Sequence, residues 1–184
     1  MNKRYKILVF LAFAMLLSSL IASFSYAEDS IYDVINREDT DTFSDMVVLG
    51  YDVDDVDGDG YTPLMIAAAL GKAKFARFLI HNNAKVDKRS FNGMTALHRA
   101  AQGGHNELID ILHGAGAYID MPDFNGDTPL MVATRSNRRF TVERLLALGA
   151  DINYMNAKGE TALSIAYKKR FKKIASYLKS QGAR

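Results

Sequence analysis

A period of 33 residues runs through this chain and restricts it to architectures that stack one short unit on the next. Gly60 and Thr62 return as Gly93 and Thr95, as Gly126 and Thr128, and as Gly159 and Thr161, with no insertion or deletion. Leu64, Leu97, Leu130 and Leu163 keep the same phase, as do Ala67, Ala100, Ala133 and Ala166. So do Leu79, Leu112, Leu145 and Leu178. A fixed repeat of this length is the mark of a solenoid, in which no unit buries its apolar face alone and each neighbour completes the core.

Local chemistry agrees with the period. The Asp-x-x-Gly segments suit tight turns, where glycine supplies the backbone freedom. The threonine that follows can cap a helix, and Pro63 and Pro129 fall where a helix accepts proline. Ala67 and Ala68 keep the first helix of a unit thin, so that neighbours approach closely. Phe75, Phe78, Leu79 and Ile80 give the second helix its larger apolar face. Asn83, Gly116, Gly149 and Gly182 stand at second-helix ends, where a left-handed residue is wanted.

The lines TPLMIAA (62–68), TALHRAA (95–101), TPLMVAT (128–134) and TALSIAY (161–167) resemble the ankyrin-repeat family. The resemblance implies an all-α solenoid of 33-residue repeats, each a helix-turn-helix with a β-hairpin loop. Residues 28–184 then divide into a degenerate N-terminal capping repeat (28–54), full repeats at 55–87, 88–120 and 121–153, and a C-terminal capping repeat (154–184). In the first of these, Ile31, Val34 and Ile35 face one helix inward, and Phe43, Met46 and Val47 do so for the next, with Val48 at the margin. In the last, Tyr167, Phe171, Ile174, Tyr177 and Leu178 are expected inward, with the lysines outward.

Residues 1–27 read as a cleavable secretory signal. Lys3, Arg4 and Lys6 precede the apolar run Ile7–Leu17, and Ser25-Tyr26-Ala27 places small residues around a cut after Ala27. A retained anchor is the bland alternative, because Ile7–Phe24 is just long enough to cross a bilayer. There is no twin arginine, so the general secretory route is expected, with the periplasm as destination and the extracellular space second. The whole chain has a net charge of +2, from 23 basic and 21 acidic residues. Losing the three bases of the leader leaves 20 against 21, a net charge of −1, so the remainder is not a nucleic-acid-like basic chain. The absence of cysteine excludes disulfides and thiolate metal sites.

Three groups of residues invite a chemical reading. Asp55-x-Asp57-x-Asp59-Gly60 matches the opening of a calcium loop, but its twelfth position is Ile66, where a bidentate Glu is needed. The same residues also suit the turn of the first hairpin. His81, His98, His105 and His113 lack a metal-ligand or catalytic spacing; the resemblance assigns His98 and His105 to hydrogen bonding around helix starts. No nucleotide or dinucleotide fingerprint and no nucleophile elbow is present, so no cofactor is expected. Charge is also polarised: residues 28–59 hold twelve acids and one base, and residues 168–184 hold seven bases and no acid. Two solvated caps explain this blandly; contact of the basic cap with anionic lipid or an acidic partner is the functional reading.

The resemblance implies a non-catalytic scaffold that binds another protein through the concave surface of hairpins and first helices. The positions placed there are Asp59, Tyr61, Leu70, Phe91, Met94, Gln102, Phe124, Asp127, Arg135, Lys158, Glu160 and Lys169. Tyr61, Phe91, Met94 and Phe124 form an expected row of large, water-facing side chains, the composition of a binding hot spot. The competing expectation is that Phe91 and Phe124 fold onto neighbouring hairpins and close the array. A monomer of the bacterial envelope is the leading expectation, a host-directed effector of an intracellular bacterium the second. A metal- or cofactor-dependent enzyme is the reading of another class. Arg99, in place of Ile66, Val132 and Ile165, together with His113, Arg144 and Ser136-Asn137, departs from the repeat pattern.

Overall fold

A computed structural model of the chain describes residues 30–184. The expected signal segment lies outside them. The chain forms two compact units divided after Tyr51.

The first unit pairs α1 (Ile31–Arg37) with α2 (Thr40–Val48). Ser30 caps α1, and the left-handed Glu38 (φ 59°) turns the chain. The Asp39 carboxylate then accepts from the Thr42 amide at 3.0 Å and from its hydroxyl at 2.7 Å, which holds the Asp39 pKa down. Ile31, Val34, Ile35, Phe43 and Met46 are buried, while Val48 is 81% exposed, so the inward stripe of α2 ends before it.

The second unit holds four helix pairs in the expected phase: α3 (Pro63–Leu70) and α4 (Ala73–His81), α5 (Ala96–Gly103) and α6 (Asn106–Gly114), α7 (Pro129–Arg135) and α8 (Arg139–Ala147), α9 (Ala162–Lys168) and α10 (Lys172–Ser180). First helices pack on first helices and second on second. The paired alanines, Ala67-Ala68 and Ala100-Ala101, have no exposed surface, which is the close approach that a small side chain permits. Leu79, Leu112, Leu145 and Leu178 are likewise wholly buried in the second helices.

Thr62 and Thr161 cap their helices, accepting from the amides of Met65 at 3.2 Å and Ser164 at 3.3 Å. Thr128 forms no such bond. The departure at Ser136-Asn137 is absorbed by backbone shape. Where the first two repeats end their first helix on left-handed Gly71 and Gly104, the next two use Asn137 (φ 56°) and Arg170 (φ 60°). Asn tolerates that conformation readily; arginine does so less often.

One side chain per repeat also links to the next. Asp54 accepts from the Lys85 amide at 3.0 Å, Asp87 from the Tyr118 amide at 3.1 Å, Asp120 from the Asp151 amide at 3.0 Å and Asn153 from the Arg184 amide at 3.0 Å. The 33-residue phase of these four acceptors turns a sequence regularity into a ladder of cross-repeat hydrogen bonds. In the last repeat Ile174 and Leu178 are buried as expected, but Tyr167 is 53% exposed.

Candidate functional site: the fingers and first-helix faces

Each repeat of the second unit projects a finger, a tight turn that precedes the first helix. Its two closing bonds recur: Asp57 N to Tyr61 O (3.1 Å) and Gly60 N to Asp57 O (3.0 Å), then Ser90 N to Met94 O (3.0 Å) and Gly93 N to Ser90 O (2.8 Å). The same pattern closes Asp123–Asp127 and Asn156–Glu160. So short a closure makes a turn and no extended ladder; among the described residues there is no strand, and the expected β-hairpin is reduced to this finger.

Side chains lock the turns from within. Asp57 Oδ1 accepts from the amides of Asp59 (2.9 Å) and Tyr61 (2.8 Å), and Asp123 and Asn156 repeat the arrangement in their own fingers. Ser90 is too short to do so; Asn92 Oδ1 instead accepts from the Met94 amide at 3.2 Å and from the Ser90 hydroxyl at 2.6 Å. The Asp57 oxygen that suggested calcium is therefore occupied by the turn. Among the described residues no group of three or more His, Asp or Glu side chains is arranged to hold a metal ion.

Neighbouring fingers are tied by one backbone bond each: Phe91 N to Asp59 O (3.2 Å), Phe124 N to Asn92 O (3.2 Å) and Ala157 N to Asn125 O (3.1 Å). The glycines make this approach possible. A Cβ on Gly60 would lie 2.8 Å from Phe91 N, on Gly93 2.6 Å from Phe124 N, and on Gly126 2.6 Å from Ala157 N. All three glycines also hold a positive φ, between 78° and 82°.

Both expectations for the phenylalanines are partly met. One edge of the Phe91 ring lies against Gly60 and one edge of the Phe124 ring against Gly93, yet the residues remain 70% and 66% exposed. The Arg89 guanidinium stands 4.8 Å from the Phe124 centroid, and its Nη2 donates to Pro122 O at 2.6 Å. Tyr61 behaves differently. It is half-buried, its hydroxyl accepts from Asn92 Nδ2 at 3.2 Å, and the Arg99 guanidinium covers its ring at 4.8 Å. Arg99, out of pattern in the sequence, thus joins the Tyr61 ring to Gln102, whose Oε1 accepts from Arg99 Nη1 at 2.8 Å.

The row expected through Tyr61, Phe91, Met94 and Phe124 is therefore not continuous. Phe91 and Phe124 share their phase with Gly58 and Ala157 at the finger tip; Tyr61 and Met94 share theirs with Asp127 and Glu160 at its base, one residue before the capping threonine. Base positions turn toward the neighbouring repeat, and Met94 is buried, with 9% exposure. It does not face water. Asp127 is buried as well, at 7%, so it is no freely presented rim charge.

Instead Asp127 belongs to a closed polar network. Arg135 donates from Nε to Asp127 Oδ2 (2.8 Å), from Nη2 to Asp127 Oδ1 (3.2 Å) and from Nη2 to Glu160 Oε2 (2.6 Å). Asn156 Nδ2 donates to Asp127 Oδ1 at 2.6 Å, and Lys168 Nζ to Glu160 Oε1 at 2.8 Å. The Lys168 ammonium, then Arg135 and Asn156, hold the Glu160 carboxyl down to about 2, and Asp127 first of all raises Arg135 further. These charges serve one another across two repeats. Asp59, Leu70, Gln102, Lys158 and Lys169 of the expected set are exposed.

Two of the four histidines, His98 and His105, act as connectors. His98 Nδ1 accepts from the Thr95 amide at 3.1 Å, which leaves Nε2 to donate to Asp127 O at 3.0 Å. Burial lowers its pKa, consistent with that neutral form. His105 Nε2 donates to Ala69 O at 3.0 Å, and Arg138, one repeat later, gives the same bond from Nε to Gln102 O at 3.0 Å. That equivalence, visible in the 33-residue phase, escaped the reading of Arg138. Arg144 pairs with Asp110 at 2.5 Å, another cross-repeat link.

A stack of helix pairs that presents a line of fingers, with polar closure inside and aromatic edges outside, defines a repeat scaffold. The family of ankyrin repeats, in its three-copy form, matches residues 31–123 and again residues 100–184; the chain belongs to this family. Ankyrin repeats are typically non-catalytic domains that bind other proteins. No curated protein matches the chain.

Proposed function

We propose that the chain is a non-catalytic scaffold of the bacterial cell envelope, exported by the general secretory route, that holds a partner protein on its finger tips and first-helix faces. The observation that supports the binding surface is the state of Phe91 and Phe124. Both rings are mostly exposed, at 70% and 66%, yet each is fixed by a backbone bond and a glycine contact. An aromatic side chain already immobilised loses little further freedom on binding, which is what makes an anchor effective. Asp59 and Lys158 are exposed on fingers, and Leu70, Gln102 and Lys169 are exposed at the C-terminal ends of their first helices. The leader and its small-residue cut site support export.

The test of the surface is the double variant Phe91→Ala/Phe124→Ala. It should melt close to the parent and lose the partner captured by the parent from native cells; an unchanged capture would reject the surface. Fractionation with N-terminal sequencing tests export: a periplasmic form beginning at Glu28 is expected. A form retained with residues 1–27, or one recovered from host cells, would overturn it.

A further inference from the structure

Opposite charges alternate and pair on the second helices of the earlier repeats. Arg77 meets Glu107, Arg144 meets Asp110 and Arg139 meets Glu143. The last repeat abandons this balance. At the phase of Glu107, α10 carries Lys173, and at the phase of Asp110 and Glu143 it carries Ser176. Residues 168–184 hold seven bases and no acid. Lys168 is paired with Glu160, but among the described residues no acid pairs with Arg170, Lys172 or Lys179. A solvated face mixes its signs, as the earlier repeats do; this face does not.

Those three cations border one groove of about 530 Å³ between α9 and α10, floored by Ala166 and Ala175 and flanked by Tyr167. Tyr167 stands where the preceding repeats place Ala68, Ala101 and Thr134, all buried, yet it is 53% exposed, and Lys179 lies over its ring at 5.9 Å. Arg170 is the second departure. It holds a left-handed φ of 60° where the other repeats have Gly71, Gly104 and Asn137. A long side chain is strained in that conformation, so this position keeps a cation against its backbone preference.

We propose that the outer face of the last repeat docks on an anionic lipid bilayer, with Arg170, Lys172 and Lys179 among the lipid phosphates and the Tyr167 ring at headgroup level. The distribution of charge selects this occupant. A second groove of about 390 Å³, bordered by Lys172, Lys173 and Tyr177, continues the first across α10. Single-sign charge spread over both grooves matches an extended anionic surface and not a compact ligand. The exposed residues of α10 are lysine and serine alone, types that are depleted where proteins meet. An amphipathic ring among lysines is instead the composition of a membrane interface. Within the same unit, Asp52, Asp54, Asp55, Asp57 and Asp59 lie in and just before the first finger, and an anionic surface repels them. Phe91 and Phe124 line neither groove, so this contact is independent of the finger surface.

The chain has no tryptophan, so Tyr167→Trp places a single reporter at the contact. A local reporter also separates the last repeat from residues 1–27, which contain the apolar run Ile7–Leu17. The full chain with Tyr167→Trp would be mixed with vesicles of equal parts phosphatidylglycerol and phosphatidylcholine. A blue shift of its emission is expected, with quenching by nitroxide on the lipid headgroups. Both should be absent with phosphatidylcholine alone and should fade as salt is added. Arg170→Gly relaxes the backbone, so thermal stability should hold or rise, while the lipid needed for half the shift should increase about fivefold. Adding Lys172→Ala and Lys179→Ala should increase it on the order of a hundredfold. The proposal is overturned if the anionic vesicles leave the emission unchanged, if phosphatidylcholine alone serves equally, or if the folded Arg170→Gly and triple variants respond like the parent. A larger shift with an acidic polypeptide or duplex DNA than with the vesicles, at equal charge concentration, would overturn it as well.

Discussion

The junction between the fingers of Gly93 and Phe124 and the junction between those of Gly126 and Ala157 have the same backbone and opposite chemistry. Both rest on one finger-to-finger hydrogen bond, at 3.2 and 3.1 Å, and on one glycine that no larger residue can replace without a clash. At the first, a phenylalanine ring lies on the glycine and an arginine lies on the ring. At the second, Ala157 leaves that place bare, and the joining is done beneath it by Arg135, Asp127, Glu160 and Asn156. An aromatic closure leaves most of its surface to solvent. An ionic closure satisfies itself and leaves less to offer.

Leu112→Ala, in the core common to the middle repeats, should cost about 2–5 kcal/mol as a cavity mutation, and denaturant unfolding should register it in full. A smaller loss would mean that the repeats do not share their stability. Next comes Arg135→Leu. Removing the guanidinium leaves the Asp127 and Glu160 carboxylates facing one another; about 2–3 kcal/mol is expected, below the ~3–5 of a fully buried pair because Arg135 is 30% exposed. The Glu160 carboxyl, held at about 2 in the parent, should move upward toward the ordinary range in an NMR titration of that variant. The sign is that of a depressed acid: the network stabilises fully above the unfolded carboxyl value of about 4.3 and is lost as pH falls through about 2.

Glycine substitutions separate contact from conformation. Gly159→Ala meets nothing within 4 Å and should cost only the left-handed penalty of about 1–2 kcal/mol, whereas Gly93→Ala adds a backbone clash and should cost clearly more. Equal losses would show that the finger-to-finger approach contributes nothing. His98 supplies a pH effect of the opposite origin. Burial lowers its folded pKa, so the unfolded chain takes the proton first as pH drops below about 6.5. Stability should fall between neutral pH and the lowered folded value by no more than about 1.4 kcal/mol per pH unit, and His98→Gln should flatten that slope in urea melts. The smallest effect is expected from Phe124→Ala: at 66% exposure it should lose about 1 kcal/mol or less of stability, mainly its contact with Arg89, while its loss of partner binding is larger.

Much of this molecule is legible in the sequence. A 33-residue recurrence of Gly-x-Thr, leucine and alanine is enough to place every helix of the second unit, because stacking requires each repeat to bury the same positions. The left-handed ends at Asn83, Gly116, Gly149 and Gly182 follow from residue type alone and occur with φ between 64° and 94°. The recurrence of Asp54, Asp87 and Asp120 marks the bond ladder that joins the repeats, since an acceptor repeated at the stacking period meets the same amide each time.

Tertiary structure alone decided which of the candidate residues remain exposed. Sequence spacing reports which finger positions recur but not which of them the fold buries. Met94 and Phe124 look alike as exposed apolar loop residues, yet one is buried and the other is not. Asp127, Arg135 and Glu160 look like three presented charges, but folding brings them within hydrogen-bond distance of one another. Whether a charge is presented or spent depends on which neighbours the stack places beside it, and those lie up to one full repeat away in the chain.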